Sequence, residues 1–495
     1  MATTVSSTIG QKENSFFRNT LTLVGGNMVA RIITFGLAPL VTRLYPPEVF
    51  GAFSLIIAVA EVFVAVSCLR YNNTILLPEK HEDADNLIAL CFFLVVSTSI
   101  ISLGFVSWFP LFFSQKLGLG NQTLLFFIPA VVLVAGVQQI TDMWFLRLKF
   151  FNRLAFSKVT GATTDRALSI YIGLFVAGNP AGLLSGKIAG LSSSMVTLFF
   201  ADTQPIKTII TNFSFERMKL LARRYIIFPK FVGDAFVQRA SVQAPLLLLG
   251  AFFSPAVVGL YALAQRILGE PMTLVGDSLG RSFSQKASEH FRNGENLAHN
   301  TMRLYRYILS LFVAPMVILS FVLADLFGLI FGAEWQEAGS YVKLIMPVFI
   351  AVFAIRPMSI YYDLYEKQKE RTIHNSITLV IICCSFTAGF AAGNSKLALV
   401  LYAVSVSVVT LLRTGWLMEL TGTSWRDFWQ ATQRGLLWPL CIVGSVLVLQ
   451  NSPWSRYLII YCLTTTLIYL SVIIWNDEIL SKQCKDYYHD VISRS

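Results

Sequence analysis

Long apolar stretches dominate the chain, and short polar segments separate them. A membrane-spanning helix needs about 20 mostly apolar residues, and fourteen stretches approach this pattern. They lie at 20–42, 50–69, 86–112, 123–146, 154–177, 180–201, 227–252, 255–280, 305–332, 338–362, 373–392, 396–418, 434–450 and 456–475. The pattern predicts an all-α polytopic membrane protein with about fourteen transmembrane helices.

The composition agrees with a lipid environment. Hydrophobic residues make up 55% of the 495 residues and charged residues only 14%, whereas soluble proteins carry about 25% charged residues. The seven cysteines show no CxxC spacing, and the five histidines are scattered. We therefore expect no metal site, no disulfide framework and no catalytic residues. The short outside loops of the predicted topology further indicate a protein that is not an enzyme.

The positions of lysine and arginine predict the orientation of the chain. With the N-terminus in the cytoplasm, and with a basic residue at the first two positions of a span counted with the adjoining segment, 25 of the 39 basic residues fall in cytoplasmic segments and ten fall within spans. Only Arg43, Lys116, Lys396 and Arg456 fall outside. This asymmetry follows the positive-inside rule and predicts that both termini are cytoplasmic. The net charge of +11 thus reflects basic residues in the cytoplasmic segments. No nucleic-acid partner is expected. The basic segments 203–226 and 281–304 are predicted to lie as surface helices against anionic lipid.

One short phrase occurs twice. "PPEVFGAFSL" at 46–55 and "SPAVVGLYAL" at 254–263 share the spacing of proline, glycine and leucine. Each would enter the second helix of a six-helix group, which predicts two lobes in a parallel repeat, as in transporters. Gly51 and Gly259 would permit close helix contact. The predicted domains are an N-terminal lobe (1–202), an amphipathic linker (203–226), a C-terminal lobe (227–420) and two extra helices with a tail (421–495).

Ten basic residues lie inside predicted spans, where each costs about 2.5–3.5 kcal/mol at a helix centre. They are Arg31, Lys158, Arg166, Lys187, Lys230, Arg239, Arg266, Lys343, Arg356 and Arg413. Most must face water, an acid or a helix end. On the eighth span, Arg266, Glu270, Thr273, Asp277, Arg281 and Ser284 form one polar stripe. Candidate cavity residues that would bind an anionic substrate are Asn27, Arg31, Arg266, Glu270 and Arg356.

Structural pairing is the alternative for several of these charges. Lys230 with Asp234 and Asp277 with Arg281 have the i,i+4 spacing of helical ion pairs, and Glu270 could neutralise Arg266. Lys158, Lys187 and Arg413 could extend to the membrane interface instead.

Three acids are candidates for ion coupling, namely Glu61, Asp165 and Asp234, because intramembrane acids often serve as ion relays. The sequence has no ATP-binding P-loop. We expect no cofactor, and a Na⁺ or H⁺ gradient or the membrane potential as the energy source.

Two segments carry a resemblance to a known family. "PLVTRLYPPEVFGAFSL" (39–55), followed by "RYNNTILLPEKHEDADNLIAL" (70–90), closely resembles the N-terminal signature of bacterial oligosaccharide flippases of the Wzx type. These belong to a superfamily with lipid II flippases and multidrug MATE exporters. The stretch "GLYALAQRILGEPM" (259–272) is similar to a lipid II flippase helix with a cavity arginine, which implies that role for Arg266.

The resemblance implies a substrate and a location. The substrate would be an undecaprenyl-pyrophosphate-linked oligosaccharide repeat unit, flipped across the bacterial inner membrane by alternating access for O-antigen, capsule or exopolysaccharide assembly. A polysaccharide polymerase and a chain-length regulator would be partners beside the membrane lipids. Three other interpretations remain open: a cation-coupled multidrug exporter on the same fold, a polysaccharide polymerase or ligase, and a scaffold of an assembly complex. Polymerases and ligases need a large outside loop, which the predicted topology lacks.

Overall fold

The computed structural model describes residues 22–108, 110, 122–176, 178–200, 204–450, 461, 464, 465, 467–469 and 471. In this part of the chain all regular structure is helical, which confirms the predicted all-α class. The helices are α1 (Thr22–Leu44), α2 (Pro47–Val66), α3 (His81–Trp108), α4 (Phe127–Arg147), α5 (Phe151–Phe175), α6 (Ala181–Phe200), α7 (Gln204–Asn212), α8 (Phe215–Arg224), α9 (Val232–Phe252), α10 (Pro255–Arg292), α11 (Ala298–Ile308), α12 (Ala314–Phe331), α13 (Gln336–Ile355), α14 (Tyr361–Leu364), α15 (Gln368–Ala391), α16 (Ser395–Glu419) and α17 (Trp425–Gln450).

Ten helical segments within the described residues are long and apolar enough to cross a membrane. They match ten of the fourteen predicted spans. Three more predicted spans, 154–177, 255–280 and 434–450, correspond to the long helices α5, α10 and α17, which carry more polar residues. The last predicted span, 456–475, lies largely outside the described residues. The protein is thus an integral membrane protein, and the count of fourteen stays a prediction.

The chain forms two compact units. The first comprises Met1–Leu263, Ile330–Trp335 and Arg371–Ala398, and the second comprises Ala264–Leu329, Gln336–Glu370 and Leu399–Ser495. The division falls within α10, so the first turns of this helix belong to one unit and the rest to the other. The four domain ranges expected from the sequence remain predictions.

The two copies of the repeated phrase meet each other within the first unit. A Cβ atom added at Gly51 of α2 would lie 1.8 Å from the carbonyl oxygen of Pro255, and one added at Gly259 of α10 would lie 1.9 Å from that of Pro47. The contact is reciprocal, as at an interface between two equivalent elements. Only glycine fits at either position, which confirms the predicted close helix contact.

A buried tryptophan packs on the same helix ends. Trp335, from the Ile330–Trp335 segment of the first unit, is 1% exposed and donates its indole N–H to the carbonyl oxygen of Thr42 at 2.9 Å. Its ring lies edge-on to Phe50, with centroids 5.5 Å apart. Because a buried indole N–H needs an acceptor, this contact fixes where the end of α1 lies against α2.

The predicted linker is helical and attached to α3. The inner face of α8 buries Met218 and Leu221, and the Arg217 Nε donates to a carboxylate oxygen of Asp83 at 2.7 Å. The opposite face exposes Leu220 among basic residues. This amphipathic pattern agrees with a surface helix, and its association with anionic lipid remains a prediction.

Candidate substrate-binding residues and intramembrane ion pairs

Helix α10 carries the polar stripe expected from the sequence. Arg266 and Glu270 are both partly buried and stand one turn apart on it. Pro271 lies within the helix, where it lacks the N–H that would continue the hydrogen-bond ladder. Thr273 donates its hydroxyl to the carbonyl oxygen of Glu270 at 2.9 Å. The helix nevertheless continues through the stripe to Arg292, and Asp277 follows seven residues after Glu270.

Arg356 meets this stripe from the end of α13. It is the first residue of the 3₁₀ turn Arg356–Ile360, and one of its terminal nitrogens lies 2.7 Å from Asp277 Oδ1. Both side chains are 38% exposed. The sequence predicted Arg281 as the partner of Asp277, and the structure corrects this to Arg356, 79 positions further along. Gly276 lies under the Arg356 stem, whose Cδ would be 3.0 Å from an added Cβ.

Asn27 and Arg31 lie on α1, in the first compact unit, while Arg266, Glu270 and Arg356 lie in the second. Asn27 is exposed and Arg31 is partly exposed. The helix packs on α5 just before them, where a Cβ at Gly26 would lie 2.5 Å from Ala155 Cβ. This close packing fixes the position of α1 against α5 next to Asn27 and Arg31. The role of these two residues in substrate binding stays a prediction.

Glu61 is not the lone acid that the sequence suggested. Its carboxylate forms an ion pair with Arg239 of α9, which was itself one of the ten basic residues within spans. The side chains are 29% and 41% exposed, respectively. Each charge of the pair neutralises the other, so neither side chain has to reach water from within the membrane.

Asp165 lies in the closely packed contact between α5 and α6. A Cβ added at Gly190 would lie 2.7 Å from Asp165 Cβ. The hydroxyl of Ser169 donates to the carboxylate at 3.5 Å, and Arg166 lies 3.9 Å away. The sequence held an unused signal for this contact, since small residues recur every four positions on α6. They are Gly182, Gly186, Gly190 and Ser194.

Asp234 is the most enclosed of the three candidate acids, with 7% of its side chain exposed. Its Oδ1 accepts hydrogen bonds from Thr372 and from the Asn375 amide, both at 3.2 Å. Its Oδ2 lies 3.5 Å from Arg371 Nε and 3.9 Å from a terminal nitrogen of Arg70. Both carboxylate oxygens therefore have partners, three of them on α15 and the fourth, Arg70, in the segment after α2, which favours a structural role for Asp234.

Arg70 reaches Asp234 from an unusual backbone position. Its φ is 62°, in the left-handed region that residues other than glycine seldom adopt. It also donates to the carbonyl oxygen of Phe231 at 3.2 Å. The sequence had predicted Lys230 as the partner of Asp234, whereas the structure gives it two arginines from other elements.

Other cations within the spans also have partners. Lys158 lies 2.5 Å from a carboxylate oxygen of Asp142 on α4 and thus does not simply extend to the interface. Arg413 donates to the Tyr362 hydroxyl at 2.6 Å. Over the described residues, no group of three or more His, Cys, Asp or Glu side chains is arranged to hold a metal ion.

Residues 40–340 match the model of a family described as polysaccharide biosynthesis protein. The chain belongs to this family. A search of curated proteins finds no match.

Two solved structures show the fold of this family member. One is the lipid II flippase MurJ in its inward closed conformation, with 14% sequence identity over 93% of this chain and 99% of that chain and a TM-score of 0.67. The other is an inward-facing multidrug resistance MATE family transporter of the MOP superfamily, with 13% identity over 81% and 96% of the chains and a TM-score of 0.54. Together with the family match they confirm the resemblance to MOP-superfamily flippases. These relatives are a flippase and a transporter, not enzymes.

Proposed function

We propose that this protein flips undecaprenyl-pyrophosphate-linked oligosaccharide repeat units across the bacterial inner membrane for the assembly of O-antigen, capsule or exopolysaccharide. Two lobes would alternate between inward and outward access, and a cationic cavity would hold the pyrophosphate and sugars while the lipid tail stays in the bilayer. Both termini would be cytoplasmic. A polymerase and a chain-length regulator would take over the flipped units.

The observation that carries this proposal is the pair of arginines in a polysaccharide biosynthesis family member. Arg266 lies on the polar stripe of α10, and Arg356 reaches the same helix from α13. A guanidinium group matches the geometry of phosphate oxygens, and its charge is permanent. Asn27, Arg31 and Glu270 complete the proposed binding set. A Na⁺ or H⁺ gradient or the membrane potential would drive the cycle, with Glu61, Asp165 and Asp234 as candidate coupling acids.

Deleting the gene from a bacterial host tests the function. We expect surface polysaccharide to disappear and undecaprenyl-pyrophosphate oligosaccharides to accumulate on the cytoplasmic side of the membrane. Polymer production that continues unchanged would contradict the proposal.

Substitutions of Arg266 test the site. Arg266→Lys should keep partial transport, because lysine binds phosphate as a point charge, while Arg266→Ala and Arg266→Glu should nearly abolish it at normal protein levels. If Arg266 only neutralised Glu270, Arg266→Ala would bury an unpaired acid and lower the amount of protein. The double variant Arg266→Ala with Glu270→Ala would then restore both the amount of protein and transport. Restored transport in this double variant would therefore refute the binding role.

A cation-coupled multidrug exporter is the second candidate function, since the fold is shared with a MATE family transporter. This function would use the acids within the spans rather than the arginines. Drug susceptibility of the deletion host separates the two candidates. Increased susceptibility with intact polysaccharide would favour the exporter.

A further inference from the structure

The ion pair between Asp277 and Arg356 has the features of an exchangeable contact. One terminal nitrogen of Arg356 lies 2.7 Å from one carboxylate oxygen, and each side chain is 38% exposed. Asp234, by contrast, is 7% exposed and lies against two arginines and two hydrogen-bond donors. Because protein covers only part of each side chain, another ion can reach both partners, and a pair of this kind contributes little stability.

We propose that Asp277 is a positioning residue that occupies Arg356 in place of the substrate phosphate and thereby selects for a ligand with more than one negative charge. The proposal rests on the proposed function. It assigns to Asp277 a role in specificity, as an internal competitor that the anionic headgroup must displace.

The selectivity follows from charge. A membrane contains many phospholipids whose headgroup carries a single negative charge, the same as the Asp277 carboxylate. Such a lipid gains little by replacing a carboxylate that is already held beside the arginine. A pyrophosphate diester carries two negative charges and several acceptor oxygens for the guanidinium fork, so it gains more from the exchange. Specificity of this kind comes from a built-in cost to the wrong ligand.

The Arg356 side chain crosses α10, so a substitution on that helix offers a second way to disturb the ion pair. The Arg356 stem crosses Gly276, where an added Cβ would lie 3.0 Å from its Cδ. The next glycine of this helix, Gly280, has nothing within 4 Å of an added Cβ. Gly276→Ala should therefore displace the Arg356 stem by a few tenths of an ångström and weaken its contact with Asp277, while Gly280→Ala is a matched control on the same helix.

The test uses the purified full chain in nanodiscs of neutral phosphatidylcholine. Undecaprenyl pyrophosphate is the probe and phosphatidylglycerol is the competitor. The measured quantity is the dissociation constant of phosphatidylglycerol divided by that of undecaprenyl pyrophosphate, so a high ratio means a preference for pyrophosphate. We expect Asp277→Asn to bind phosphatidylglycerol more tightly and to reduce this ratio by up to about fivefold, the upper end of the range for an exposed ion pair. Asp277→Glu should retain the ratio. In an Arg356→Ala background, Asp277→Asn should change nothing further, because its effect acts through the arginine.

Gly276→Ala should reduce the ratio, and Gly280→Ala should leave it unchanged. The charge-swapped variant, Asp277→Arg with Arg356→Asp, keeps a pair while it moves the cation, and it should fold but lose the preference for pyrophosphate. An unchanged ratio in Asp277→Asn, while Arg356→Ala weakens binding of undecaprenyl pyrophosphate, would overturn the role of Asp277 and leave the proposed function intact. Absence of undecaprenyl pyrophosphate binding in the unmodified protein would contradict the proposed function itself.

Discussion

At the crossing of α2 and α10, Gly259→Ala adds one methyl group where the backbone leaves no space for it. The new Cβ would lie 1.9 Å from the carbonyl oxygen of Pro47, and contacts below 3.0 Å are essentially never observed. A backbone carbonyl within a helix cannot rotate away, so the two helix ends must separate by about 1 Å. Overpacking of this kind costs about 1–3 kcal/mol, partly offset by about 0.5–1 kcal/mol from the better helix propensity of alanine.

We therefore expect a net loss of about 1–2 kcal/mol for Gly259→Ala, seen as a lower apparent Tm of the purified protein in detergent. Gly280→Ala on the same helix meets open space and should be neutral or slightly stabilising. Gly51→Ala should resemble Gly259→Ala. One separation of the helices accommodates both methyl groups, so the double variant should lose less than the sum of the two single losses. Equal Tm values for Gly259→Ala and Gly280→Ala, or strictly additive losses, would refute this reasoning.

Three further predictions concern orientation and the paired acids. In a background without native cysteines, Arg223→Cys should remain unlabelled by an impermeant thiol reagent in intact cells while Lys396→Cys is labelled, and the reverse pattern would contradict the orientation. Glu61→Gln removes the partner of Arg239 and should slow transport and weaken its dependence on the ion gradient; full transport with the same dependence would exclude Glu61 from coupling. Asp234→Asn leaves two arginines without their carboxylate and should cost about 3–5 kcal/mol of stability, so an unchanged Tm would count against this structural role.

The sequence predicted the helices well because each depends on its own residues. An apolar stretch of sufficient length forms a helix in lipid regardless of its neighbours, since every backbone polar group must be satisfied within it. The polar stripe of α10 followed from helical periodicity in the same way. The repeated phrase was recognisable from local spacing, but only the structure shows that Gly51 and Gly259 pack against the partner copy's proline carbonyl.

The sequence did not predict which residues pair with most of the intramembrane charges. Helical spacing suggested Arg281 for Asp277, yet the partner is Arg356 from a distant helix. Glu61 looked isolated because Arg239 lies 178 positions later. Sequence spacing reveals neighbours on one helix, whereas a membrane protein also satisfies charges across helices, where the identity of the neighbour depends on tertiary packing. The four-residue spacing of small residues on α6 was the one visible signal of such packing that we had not used.

Burial then separates intramembrane charges that the sequence treats alike. All of them cost about 2.5–3.5 kcal/mol at a helix centre, and this cost predicts that each has compensation without specifying its kind. Asp234 is enclosed and lies against Arg371 and Arg70, so its ion pairs are held within the packed protein. Asp277 and Arg356 compensate each other while remaining reachable, which allows an incoming anion to replace the carboxylate. In the proposed flippase, enclosed pairs would preserve the fold while exchangeable pairs would allow a charged headgroup to bind and leave.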